Sequence, residues 1–159
     1  MAKYLTVISD THGATRNISL LSGDFTISDK IVFLGDGLSD LIECFDFEDK
    51  IIKVAGNCDF TFCERKQVEF TVEGVRFLAL HGDGYGVKTG LSRLINYAKS
   101  IGVKVVLFGH THIPIIKEES GVLLINPGTL SRYGDKETFA FIKVDGEKID
   151  AKIIPLSKR

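Results

Sequence analysis

The four histidines of the chain, His12, His81, His110 and His112, each follow a short apolar run, and Asp10, Asp36 and Asn57 hold the same kind of position. YLTVIS leads into Asp10 and His12, IVFLG into Asp36, IIKVAG into Asn57, FLAL into His81, and VKVVLFG into His110 and His112. Side chains at the carboxyl ends of neighbouring strands in an open α/β sheet converge on one crevice, where such folds place their ligands. Carboxylate, amide and imidazole donors suit borderline divalent ions such as manganese, iron, zinc or nickel, and these seven residues are enough for two ions. Two ions need a shared ligand, and Asp36 is the natural candidate.

Each motif also has an ordinary reading. Asp10 could cap a helix beside an incidental His12, Gly35-Asp36-Gly37 is common turn chemistry, and Asn57 and Asp59 tolerate the left-handed backbone of a turn. Gly109-His110-Thr111-His112 is the sharpest signal, because two imidazoles directly after an apolar strand must each find a partner or cost stability. His81 in LALHGDG has the same placement.

The elements that must position these residues are readable as patterns. Runs from Lys3 to Ser9, Lys30 to Leu34 and Ile51 to Ala55 are continuously apolar or β-branched, as in strands covered on both faces. LSDLIECFDF predicts a short helix capped by Ser39 or Asp40, and the stretch after the first strand is a weaker helix pattern. QVEFTVEGVRFLAL predicts a hairpin turning at Glu73 and Gly74. A helix is expected from Lys88 to Ile101, with Leu91, Leu94, Ile95, Ala98 and Ile101 as one stripe and Gly102 as its stop. A hairpin over Ile115 to Ile125 and two closing strands around Asp145 and Gly146 complete the chain. Beginning with βαβ units and ending in hairpins, the pattern is most simply two packed mixed sheets with helices outside.

A length of 159 residues fits one domain, 1–159. With 20 basic and 21 acidic side chains the formal charge is −1, which argues against stable nucleic-acid or anionic-membrane binding but leaves a small nucleotide substrate open. The amino-terminal residues lack a signal-peptide pattern and no apolar run reaches a membrane span, so a cytoplasmic protein is expected. Cys44, Cys58 and Cys63 lack paired spacing and are expected to be reduced. Edge strands leave room for a homo-oligomer.

The ordered set DTH, GD, GNCD, HG and GHTH, followed by Asn126-Pro127-Gly128, resembles the calcineurin-like metallophosphoesterase superfamily, and within it the small YfcE-type phosphodiesterases. The resemblance implies a four-layer α/β/β/α sandwich and two divalent ions, manganese first, with nickel, zinc or iron as alternatives. It implies one ion held by Asp10, His12, Asp36 and His112, and a second by Asp36, Asn57, His81 and His110. Much of the superfamily has His where this chain has Cys58, and a thiol is a poorer proton donor near neutrality. Asp59 is expected to orient the site or bind a metal-bound water. Asp36, Asn57, Cys58, Asp59 and His110 are the residues expected to act in catalysis. The expected reaction is hydrolysis of a small phosphate ester, diester in preference to monoester, by in-line attack of a hydroxide bridging the ions. A non-catalytic scaffold resembling the retromer subunit Vps29 is the alternative from another class. Tyr85 and Lys88 could shape the mouth of the site; Ser131, Arg132 and Tyr133 read equally well as surface.

Overall fold

The computed structural model describes residues 1–60 and 64–158; Cys63 lies outside them. The first sheet has the order β10-β9-β1-β2-β3, built from β1 (Lys3–Ile8), β2 (Lys30–Phe33), β3 (Ile51–Lys53), β9 (Thr138–Asp145) and β10 (Lys148–Pro155). β1, β2 and β3 run parallel, and β9 and β10 add an antiparallel flank. The second sheet has the order β4-β5-β6-β8-β7, from β4 (Gln67–Val72), β5 (Val75–Leu80), β6 (Val105–Leu107), β7 (Ile115–Glu119) and β8 (Val122–Asn126). β5, β6 and β8 are parallel, with hairpin partners on both edges.

Three apolar clusters define four layers. Leu5, Val7, Val32 and Leu34 of the first sheet meet Phe77, Ala79, Val105 and Leu107 of the second. The alternate residues Ile8, Ile31 and Phe33 face outward onto Ile18, Leu21 and Phe25 of α1 (Thr15–Ser19) and α2 (Ser22–Ile27) with the turn between them. On the other side Leu78, Leu80, Val106 and Phe108 pack against Leu94, Ile95 and Ala98 of α3 (Ser92–Ile101). This is the expected α/β/β/α sandwich, and it explains why the central strands are apolar at every position: each face has a layer upon it. Fully burying a side chain such as Phe33 or Phe77 contributes about 1.5–3 kcal/mol.

Two expectations need correction. LSDLIECFDF lies in a run of 3₁₀ turns, Leu38–Lys50, without a side-chain cap from Ser39 or Asp40. Asp40 is buried and spends its carboxylate on Thr11 Oγ1 and the Gly13 N–H instead. α3 begins at Ser92 rather than Lys88, because Thr89 turns back on the Gly86 carbonyl through both its N–H and its hydroxyl. Its end is as expected: Gly102 takes φ 71° and the Val103 N–H returns to the Ala98 carbonyl. The hairpin turns fall at Glu73-Gly74 and Ser120-Gly121, each with both residues at positive φ. Among the described residues no helix is long and apolar enough to cross a membrane, and Cys44 and Cys58 are free thiols.

Candidate metal centre

The carboxyl ends of β1, β2, β5 and β6 lead into loops that meet at one place. There the backbone bends against its preference: Asp10, His12, Asp36, His110 and His112 all take positive φ, between 42° and 71°. The other two described non-glycine residues with positive φ, Glu73 and Ser120, sit in tight hairpin turns, so backbone strain outside such turns is confined to this site. Short cross-strand bonds stitch the loops together: Asp10 N–H to Gly35 carbonyl (2.9 Å), His12 N–H to Asp36 carbonyl (3.1 Å) and Gly109 N–H to His81 carbonyl (2.9 Å).

Three groups of donor atoms, each within 4.8 Å of one another, result: Asp10, His12 and His112; Asp36, His81 and His110; and His12, Asp36 and Cys58. Asp36 belongs to two of them. Its Oδ1 accepts the Cys58 N–H (2.8 Å), while Oδ2 faces His81 Nε2 (3.2 Å) and His12 Nε2 (3.8 Å). Burial acts to raise the Asp36 pKa, but hydrogen bonds from His81 and the Cys58 N–H, with the charge of His81, outweigh it and hold the carboxyl well below the usual range.

The neighbouring nitrogen and oxygen atoms crowd together. His81 Nδ1 lies 2.7 Å from the Leu34 carbonyl, which can only accept, so Nδ1 carries a proton and, in the neutral ring, Nε2 presents its lone pair on the Asp36 side. His81 Nε2 and His110 Nδ1 are 3.2 Å apart, and His12 Nε2 and His112 Nε2 are 3.3 Å apart. The buried Asp10 Oδ2 accepts the Ser9 hydroxyl and the His110 N–H, but Oδ1 has no hydrogen-bond partner and faces His112 Nε2 at 3.1 Å. Imidazole nitrogens and carboxylate oxygens converging on one place, among them an orphaned buried carboxylate oxygen, fit a divalent cation, and the mixed N/O set suits a borderline one. Burial lowers the His81 pKa, but the Asp36 hydrogen bond and the charges of Asp10 and Asp36 raise it overall. His110 is shifted down by burial, then by the charges of His81 and Lys88.

The GNCD turn approaches from the end of β3. Asn57 is exposed, and its amide donates to Cys58 Sγ at 3.5 Å. Cys58 lies beside Asp36 and His12, and burial followed by the Asp36 charge pushes its thiol up. Asp59 is the anchor of this turn. Its Oδ2 accepts the N–H groups of Asp36 (2.7 Å) and Gly56 (2.8 Å), and its Oδ1 those of Gly37 and Leu38 (both 2.9 Å). Two glycines permit the approach: a Cβ on Gly56 would strike the Asp36 carboxylate, and one on Gly37, at φ 145°, would strike Thr11 Oγ1 and the Asp40 carboxylate.

Two positioning residues escape sequence reasoning. Asp40 reads locally as a cap, yet it fixes the turn on both sides of His12. Asn126 donates to the Gly109 carbonyl and Thr111 Oγ1 (both 3.0 Å) and accepts the Gly128 N–H, so it fixes the GHTH loop from β8; the NPG motif was its only signal. Tyr133 meets the His12 ring edge-on at 6.2 Å, which draws one of the three residues after NPG toward the site.

The sequence profile of the calcineurin-like phosphoesterase superfamily domain matches residues 4–147. A probable metallophosphoesterase of Methanocaldococcus jannaschii is 30% identical over 158 residues, covering 96% of this chain and 81% of that protein. The solved structure of an archaeal phosphodiesterase superposes with a TM-score of 0.78 at 26% identity, covering 96% of this chain and 99% of the other. Vacuolar protein sorting 29 from Cryptosporidium parvum shares the fold at a TM-score of 0.77 and 15% identity, covering 97% of both chains. The strand-end motifs, the paired sheets and a profile match over most of the length agree: this chain belongs to the calcineurin-like phosphoesterase superfamily.

Proposed function

We propose that this protein is a phosphodiesterase with two divalent ions, manganese first among them, acting on a small phosphate ester. In this reading Asp10, His12, Asp36 and His112 hold one ion, and Asp36, Asn57, His81 and His110 the other. The observation that carries it is the orphaned, fully buried Asp10 Oδ1 amid imidazole nitrogens and a second carboxylate, a concentration of charge that a divalent cation would offset. Bound ions supply Lewis-acid stabilisation of a phosphoryl group and acidify a water toward neutrality. The protein's own part is placement. Asp59 holds Asp36 through the backbone, Asp40 holds the His12 turn and Asn126 the GHTH loop. The Leu34 carbonyl fixes the tautomer of His81. Asn57 donates its amide NH₂ to Cys58 Sγ, and its amide oxygen would be the atom offered to the ion.

A thiol at Cys58 is a weaker proton donor near neutrality than an imidazolium toward a departing oxygen. Substrates whose departing group needs little protonation are favoured, hence diesters over monoesters. Cys58→His is expected to keep the metal content and lower the diester-to-monoester ratio; an unchanged ratio removes Cys58 from the specificity argument. The function itself is tested by stripping the protein, reloading it with manganese and assaying bis-p-nitrophenyl phosphate and p-nitrophenyl phosphate in parallel, with Asp36→Asn as the contamination control. Turnover of the diester that the substitution abolishes supports the reading. Turnover of the monoester alone overturns the diester preference, and no turnover of either returns the protein to the scaffold reading.

A further inference from the structure

A groove of about 370 Å³ lies beside the candidate metal centre, within the size range of small-molecule sites. Val87 and Phe108, both rooted in the core under α3, form its floor together with Leu91. Ile113 and Ile115 form its wall, and Ile113 stands 67% exposed. The groove adjoins the loop that carries two of the candidate ligands: Thr111, which lines it, is the residue between His110 and His112. Its one cation is Lys88. An apolar trough with a single ammonium in its lining matches a ligand with an apolar body and an anionic head. None of its lining residues comes from the GNCD turn, whose Cys58 sits instead beside His12 and Asp36. The groove therefore adjoins the GHTH loop rather than the GNCD turn that carries the thiol.

Resting on the phosphodiesterase reading, we infer that this groove holds the group that stays on the phosphate, and that this group is a ring: an aryl or nucleobase substituent laid against Leu91 and Ile113, with Lys88 paired to the phosphate. A volume of about 370 Å³ accommodates an aromatic ring against this apolar lining.

The test compares bis-p-nitrophenyl phosphate with methyl p-nitrophenyl phosphate, which share a departing group and differ only in the retained one. Ile113→Asp changes an exposed position and leaves every candidate ligand in place. It is expected to raise KM for the bis-aryl substrate about tenfold, the scale of one lost apolar contact, while KM for the methyl ester moves less than about twofold. Lys88→Ala is expected to raise both KM values. Equal changes on the two substrates with Ile113→Asp, or none, overturn the assignment. If the loaded enzyme turns over neither substrate, the phosphodiesterase reading fails by itself, and methyl NMR of zinc-loaded protein still decides the groove. Shifts at Val87, Leu91 and Ile113 with phenyl phosphate but not with inorganic phosphate uphold it; silence at those methyls overturns it.

Discussion

The two ends of the first sheet's parallel strands are built by opposite rules. At the amino end, Asp29 and Tyr4 exchange backbone and side-chain bonds, Lys3 pairs with the same carboxylate at 3.0 Å, and every one of these groups has a partner. At the carboxyl end, Asp10 and Asp36 sit in left-handed backbone, and Asp10 keeps a buried oxygen unpartnered. Around them, three polar residues that contribute no donor to the clusters, Asp40, Asp59 and Asn126, hold the loops in place. One end closes its hydrogen bonds to stabilise the fold; the other holds charge and strain open for a ligand.

Substitutions break or sharpen that contrast. The largest effect is expected at Asp59. Asp59→Ala removes the acceptor of four N–H groups and should destabilise the protein by about 2–4 kcal/mol in urea unfolding, with metal affinity down about 10–100-fold by titration. Asn126→Ala should cost less, about 1–3 kcal/mol, because a neutral amide serving three groups is lost. Equal costs would mean that charge on the clamp is immaterial. Asp10→Asn is expected to act in the opposite sense on the metal-free protein, raising its stability by about 1 kcal/mol by removing a buried unpaired charge, while metal binding falls. A lower melting temperature of the stripped variant would contradict the idea that this end stores unfavourable charge.

The smallest effect belongs to the amino end. The Tyr4 N–H, with the Lys3 ammonium, holds the Asp29 pKa below its ordinary value against a modest opposing effect of burial. A depressed folded pKa stabilises above the unfolded value of about 3.9, and that stabilisation is lost as pH falls through the folded value. Asp29→Asn should therefore cost only about 0.5 kcal/mol at neutral pH, solvent screening included, and nothing once both states are protonated; metal content should not change. A change in metal content would erase the separation between the two ends.

How far the sequence carries depends on the range of the interaction. Strand-end placement is local, so the apolar runs before Asp10, Asp36, His81 and His110 disclose both the elements and the residues that cluster beyond them. The clamps act across distance. Asp40 meets Thr11 and Gly13 from 27 to 29 positions away, and its local signal, an acid early in a helical pattern, points to a cap it does not make. Asn126 reaches Gly109 from 17 positions away. The start of α3 was obscured by a turn at Gly86 and Thr89 within an otherwise helical apolar stripe. The left-handed bends at five site residues have no sequence signal beyond the adjoining glycines, since Asp and His tolerate rather than demand that backbone.

The central claim is that Asp36 serves two ions at once, and counting metal tests it most directly. Stripped protein is titrated with manganese, and bound metal per chain is measured for the wild type and for Asp36→Asn. The account predicts two ions in the wild type, and in the variant a loss at both sites that exceeds the 10–100-fold weakening expected of an outer residue. A single ion in the wild type, or a variant that keeps one site at full affinity, would contradict it.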